Sequence, residues 1–353
     1  MSKVVKFGLF LRGNLEERVK IGVLAEKLGF DSVWAGHHFS FWYPNVEYPE
    51  TFTTLLNIGL LTKKIVIGSC VIDPFSRHPA LIAQTVASID RVLKGRTILG
   101  LGCGEAMNTI PYGIKWSKPA YGLREAIQVI RGLLDSSFDK PYTFEGQTYN
   151  LKDAYIMIKP YSRLLPIYVS AASKLTKKIV GEMADGWLAH IHTPATFYED
   201  LEDIREAARK SGRNPQDIDY VAFLIGVLGN DRRKCFQILR GPVGTELLLN
   251  KHVSEKLLKN SGSDYLLEKI KEMHLGKFVA TPQNVKYLWD LATNIPNHII
   301  EELAFFGKPN DCLKLLEDFV KKGATHLIIF FAGQKTDEQL RIFAKYIIPY
   351  FNK

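Results

Sequence analysis

Short β-branched, apolar runs alternate along this chain with longer stretches in which apolar residues recur every three or four positions. Val4–Leu11 reads as a first strand, and Asn14–Leu28, with apolar Val19, Ile21, Val23, Leu24 and Leu28, as a helix ending at Gly29. The alternation then repeats. Strands are predicted at Asp31–Ala35, Ile65–Val71, Thr97–Gly102, Pro166–Ala171, Gly186–His190, Asp219–Leu228 and Thr325–Phe331. Helices are predicted at Thr51–Thr62, His78–Leu93, Lys118–Ser136, Leu175–Ala184, Pro194–Ser211 and Asp337–Phe351. Each return to a parallel neighbour needs a crossover helix, so eight such units predict an α/β fold, a single (β/α)8 TIM barrel over residues 1–353.

Two stretches exceed the minimal barrel. Residues 141–160 carry two short alternating runs around Glu145-Gly146, a hairpin signal before the fifth strand. Residues 231–308, after the seventh strand, are too long for one crossover and are expected to form several helices over one end of the barrel.

Composition narrows the class. The 353 residues are 46% hydrophobic and 24% charged, enough apolar material for a large core. The net charge of +9 attracts anions, but the basic residues are dispersed, which argues against a nucleic-acid partner. No apolar run approaches bilayer length, so no membrane partner is expected. Four widely spaced cysteines, no CxxC pair and no secretory signal predict a reducing, cytoplasmic setting and no metal.

A barrel places its chemistry after the strands. After the second comes Gly36-His-His-Phe-Ser-Phe-Trp42, where His38 is suited to exchange a proton or hydrogen bond with a substrate oxygen and Trp42 to wall a pocket. After the third, Gly68, Ser69 and Cys70 would let a flat ring approach the backbone, while Arg77 and His78 could meet phosphate or carboxylate but read more readily as a turn and helix start. After the fourth, Gly100-Leu-Gly-Cys-Gly-Glu-Ala-Met-Asn108 brings Glu105 and Asn108 to the barrel mouth. It lacks the spacing of a dinucleotide fingerprint. After the fifth, Ser170-Ala-Ala-Ser173 precedes a helix, where Ser173 is either a phosphate contact or an N-cap. His190 and His192 alternate after the sixth, and would point the same way on a continuing strand.

These segments together resemble the bacterial-luciferase-like superfamily, and within it the branch that uses the deazaflavin coenzyme F420. The resemblance is carried by Leu28–Trp34, His37-His38 with Trp42, Ile67–Pro79, Leu99–Asn108 and Pro166–Trp187. It implies a homodimeric barrel acting as a hydride-transferring oxidoreductase on a small organic substrate such as an alcohol or ketone. It implies catalytic roles for His38, Glu105 and Trp42. It implies cofactor contacts from His37, Ser69, Cys70, Val71, Asn108, Ser170, Ala171, Ala172 and Ser173, and a non-proline cis peptide at Cys70–Val71. Many relatives carry an acid where this chain has His37. A sugar-phosphate substrate is disfavoured, because Ile191–Thr196 has no lysine and Glu301–Phe306 no arginine. Three alternatives stand beside the alcohol reading. One is a methylenetetrahydromethanopterin reductase-like enzyme, supported by Tyr112–Pro119 and Glu301–Leu315. The others are an FMN-dependent monooxygenase and a cofactor-binding protein without turnover.

Overall fold

The computed structural model describes residues 5–43, 46–259 and 261–352. Val4, the first residue of the predicted opening strand, therefore lies outside the described residues.

Eleven strands are described: β1 (Lys6–Phe10), β2 (Ser32–Ala35), β3 (Val66–Ser69), β4 (Thr97–Leu101), β5 (Tyr142–Glu145), β6 (Asn150–Ala154), β7 (Ile167–Ser170), β8 (Gly186–His190), β9 (Asp219–Leu228), β10 (Ala304–Gly307) and β11 (His326–Phe331). Eight of them pair in parallel in the ring order β1-β2-β3-β4-β7-β8-β9-β11, and β11 closes back onto β1. The ring is an eight-stranded α/β barrel. Its strands are buried on both faces, as expected where helices cover the outside.

Period-two alternation sorts the side chains. Along β9, Val221, Phe223, Ile225 and Val227 join one apolar cluster, whereas Tyr220, Ala222, Leu224 and Leu228 join another beneath the outer helices. Along β11, Ile328 goes with the first group and Leu327, Ile329 and Phe331 with the second. The first cluster continues out of the barrel into the segment after β9, so barrel interior and insertion share one core.

Local chemistry fixes the helix starts. Asn14 and Glu17 form a reciprocal capping box on the helix Leu15–Lys27. Ser173 with Thr176 and Thr193 with Thr196 do the same for Lys174–Met183 and Pro194–Lys210. Proline opens the helices Pro79–Val92 and Pro119–Asp135, where its missing N–H costs nothing.

β5 and β6 form the antiparallel hairpin ahead of β7. The segment after β9 holds the helices Arg232–Leu249, Lys251–Lys259, Asp264–Glu272, Pro282–Ala292 and Asn297–Leu303. It also contains β10, a four-residue strand not expected there, which pairs in parallel with the far end of β9. An ion cluster fastens this insertion to the barrel body. Asp200, 2% exposed, accepts from Lys177 Nζ at 2.6 Å, from Lys256 Nζ of the insertion at 2.8 Å and from His192 Nε2 at 3.1 Å. Among the described residues no helix is long and apolar enough to cross a membrane.

Candidate active site

At the carboxyl ends of the barrel strands, under the insertion, lies a cavity of about 770 Å³. Its walls are mainly apolar and aromatic, with Phe10, Phe41, Trp42, Phe223, Trp289 and Phe330 among them. That size and lining suit a bound organic molecule with a few placed polar groups.

Two of those groups come from the loops after β2 and β4. Gly104 takes φ +72°, turning the chain so that Glu105 and the short 3₁₀ turn Ala106–Asn108 face the loop after β2. Asn108 is 3% exposed and joins the two loops. Its Oδ1 accepts from the backbone N–H of Phe39 at 2.8 Å and of Ser40 at 3.2 Å. Two N–H donors require an oxygen, so the amide orientation is determined. Nδ2 then faces the other way and donates to His38 Nδ1 at 2.8 Å and to Glu105 Oε2 at 3.2 Å. His38 Nδ1 is therefore the acceptor nitrogen, and Nε2 carries the proton of the neutral ring.

Burial pushes the His38 pKa down to about 3, assisted by the nearby charges of His37, Arg18 and His190, so the ring stays neutral across the physiological range. The same desolvation lifts Glu105 to about 7, against the hydrogen bond from Asn108 and with a further push from Asp73. Water reaches the Glu105 side chain, which is 45% accessible, but only from within the cavity, where protein surrounds it. The two groups stand 3.6 Å apart, Nδ1 to Oε2. Phe41, Trp42 and Tyr48 ring the His38 imidazole edge-on at 4.7, 5.7 and 4.8 Å between centroids.

The structure brings most of the remaining expected residues to the same cavity. His37, Cys70, Val71, Ser170, Ala171, Ala172 and Ser173 all line it. The Cys70–Val71 peptide is cis. Ser173 also caps the helix Lys174–Met183 through its Oγ. Burial raises the Cys70 and Cys103 thiols to about 12, so neither offers a thiolate.

Two expectations change. Ser69 is 1% exposed and lies behind the cavity wall. Its hydroxyl bonds the backbone of Gly100 in both directions, which ties β3 to β4. Arg77 and His78 keep the turn and helix start expected of them: Arg77 pairs with Glu50 at 3.4 Å and covers the Phe52 ring, His78 caps the helix Pro79–Val92, and neither lines the cavity. His190 and His192 do not face the same way, because β8 ends at His190 and Ile191 takes φ +57°. His190 points into the cavity, while His192 turns to Asp200. Among the described residues no group of three or more potential ligands is placed to hold a metal.

Among the cavity residues that were not foreseen is a carboxylate. Glu246, from the helix Arg232–Leu249, stands 3.5 Å from His190 Nε2 and lines the wall with it. The available signal was a single charge in the otherwise apolar run Val243–Leu249.

The chain is 32% identical to an F420-dependent glucose-6-phosphate dehydrogenase of Microbacterium testaceum over 210 residues, 58% of this chain and 61% of that enzyme. This chain thus spans less than two thirds of that relative. It is 26% identical to the 5,10-methylenetetrahydromethanopterin reductase of Archaeoglobus fulgidus over 338 residues, 95% of each chain. An F420-dependent secondary alcohol dehydrogenase, solved with an F420–acetone adduct, superposes with a TM-score of 0.83 at 24% identity, covering 97% of this chain and 98% of the other. At that identity the superposition establishes the shared barrel. Residues 8–326 match the luciferase-like monooxygenase family, and the chain belongs to it.

Proposed function

We propose that this protein is an F420-dependent oxidoreductase that exchanges a hydride with the carbon of a small alcohol or carbonyl substrate. The observation that carries the reading is the His38–Asn108–Glu105 constellation in a mainly apolar and aromatic cavity. The name of the relative at 32% identity supports the choice of cofactor.

The cavity residues fit a deazaflavin. Gly102, Ala106, Ala171 and Ala172 give walls of small residues on which a flat ring can lie. A Cβ on Gly102 would meet Val71 Cγ2 at 2.5 Å, beside the cis peptide. Ser173, Thr176 and Lys251 line the same cavity and suit an anionic tail, beside a helix N-terminus that favours negative charge. When bound, the cofactor would supply or take up the hydride.

The chain's own residues handle the proton. Neutral His38, with Nε2–H held by the Asn108 bond to Nδ1, donates a hydrogen bond to the substrate oxygen. Glu105 gives that oxygen a proton during reduction and removes it during oxidation. Trp42, 4% exposed, closes the wall beside His38 and helps exclude water. Asn108 is a positioning residue, since its oxygen and both amide hydrogens are engaged by protein groups.

Titration of the purified protein with F420, FMN and NADPH, read by ring fluorescence, tests the reading. Micromolar or tighter F420 binding with weak NADPH binding is expected. Tight FMN binding without F420 binding would reject it.

We further propose a homodimer formed through the outer faces of Thr51–Leu61 and Pro79–Val92, where Leu60, Leu61, Leu81 and Val92 are exposed. Light scattering would report the mass. The four unpaired thiols fit a cytoplasmic setting.

A further inference from the structure

The cavity holds a second carboxyl–imidazole pair that the hydride chemistry does not use. His190 ends β8, and Glu246 comes from the insertion helix Arg232–Leu249. Their 3.5 Å separation is long for a hydrogen bond. Among the described residues neither the Glu246 carboxyl nor His190 Nδ1 has any other side-chain or backbone partner. Glu246 is 8% exposed, so its carboxyl has been taken out of bulk water without a compensating partner. Tyr43 and Trp42 stand on the same wall. The Tyr43 hydroxyl and Trp42 Nε1 are close to one another, yet neither makes a hydrogen bond of ordinary geometry.

The pair also differs from the rest of the insertion's charges. Lys256 is bound into the Asp200 cluster, and Lys251 pairs with Glu255 at 3.9 Å. Arg12 lines the cavity, but its Nη1 is held by the carbonyls of Phe331 and Gly333. What remains open on this wall is the Glu246 carboxyl and one imidazole nitrogen, with the Trp42 indole N–H and the Tyr43 hydroxyl beside them.

We propose that Glu246 and His190 form a specificity site that binds a nitrogen-bearing N–H edge of the substrate, such as an amide, amidine or aminopyrimidine, away from the carbon that exchanges hydride. An N–H edge with a neighbouring acceptor can pair with the Glu246 carboxyl in either protonation state, whereas a carboxylate or phosphate meets the ionised form with like charge. The substrate is then bipolar, with a redox carbon at His38 and Glu105 and a donor edge at Glu246. This rests on the reading of the cavity as a joint cofactor and substrate chamber.

The test is fragment binding to the F420-loaded protein, measured by saturation-transfer NMR titration with benzamidine, 2-aminopyrimidin-4-one and benzoate. The two N–H fragments should bind at least tenfold more tightly than benzoate. Glu246→Gln should weaken both by tenfold or more, while the F420 dissociation constant and the melting temperature stay near wild type. His190→Asn should weaken the same two fragments and serves if Glu246→Gln does not fold. Benzoate binding as tightly as benzamidine would overturn the proposal, as would fragment affinities within twofold of wild type in a folded Glu246→Gln. Loss of the cofactor reading would show differently: the unsubstituted protein would not take up F420, and the fragment series, run without it, would still decide the role of Glu246.

Discussion

Two walls of one cavity each carry a histidine beside a glutamate, and they are finished differently. On the β2–β4 side, Asn108 sits between His38 and Glu105 and bonds both. On the β8 side, nothing stands between His190 and Glu246, and the pair is 3.5 Å apart. Desolvation pushes all four groups toward their neutral forms: both histidines down, to about 3 and about 4, Glu105 up to about 7, and Glu246 well up. Burial alone therefore does not distinguish the walls. The difference is orientation. A buried amide fixes one imidazole tautomer and aims one carboxyl, as a site moving a proton requires, whereas the other pair keeps its bonding capacity for a ligand.

The largest expected effect comes from removing the proton-handling groups. Glu105→Gln and His38→Ala should each lower turnover by about 10² to 10⁴, with F420 affinity nearly unchanged, in stopped-flow measurements on the native substrate. Near-normal turnover in both would move the chemistry to the opposite wall. Loss of F420 binding would make them pocket builders.

A smaller effect isolates the amide. Asn108→Asp cannot donate to His38 Nδ1, and it places a carboxylate beside Glu105. Turnover should fall about tenfold, the worth of one hydrogen bond of about 1 to 1.5 kcal/mol. The kinetic pKa of Glu105 should also move upward, which a purely structural role for Asn108 would not produce. An unchanged pH profile would break the contrast between the walls.

The mildest test is pH itself. For carbonyl reduction, kcat/KM should fall as pH rises through about 7, because Glu105 must enter protonated, and for oxidation it should rise. Glu105→Gln should abolish the inflection. No limb from His38 is expected above about pH 4, since its pKa is near 3. Stability carries the same signature. A carboxyl raised from its ordinary 4.5 to about 7 holds its proton in the folded state, so its contribution is full below 4.5 and is lost as pH rises through 7. Urea midpoints of wild type and Glu105→Gln, compared at pH 5 and 8, should show a shallower fall in the variant.

The barrel was legible because strands buried on both faces read as unbroken β-branched runs, and Asp219–Leu228 keeps the predicted ends. β10 was not, since Ala304–Gly307 is four residues long and follows a helix without a break. In the cavity, residues directly after strands were legible because barrel topology alone places them there. Three further features were not. Glu246 lies in the last turn of its helix, and only tertiary packing decides which face of that helix is turned inward. The separate paths of His190 and His192 depend on the left-handed conformation of Ile191, which a β-branched residue gives no reason to expect. Ser69 sits on a strand whose facing is fixed by its bonds to Gly100.

The Asp200 cluster bears on how substrate range could be transplanted within the family. The helices after β9 cover the cavity and contribute Glu246, so residues 232–303 are a natural cassette to exchange between relatives. To the Asp200 cluster the cassette contributes one lysine. Lys256 travels with it, while Asp200, Lys177 and His192 stay in the barrel. A donor segment without a cation at that position would leave Asp200 with Lys177 and His192 alone, and because Lys256 is 38% exposed the loss is on the order of 1 kcal/mol. Chimeras should therefore be sorted first by the residue they place at position 256, and only then by the one they place at 246.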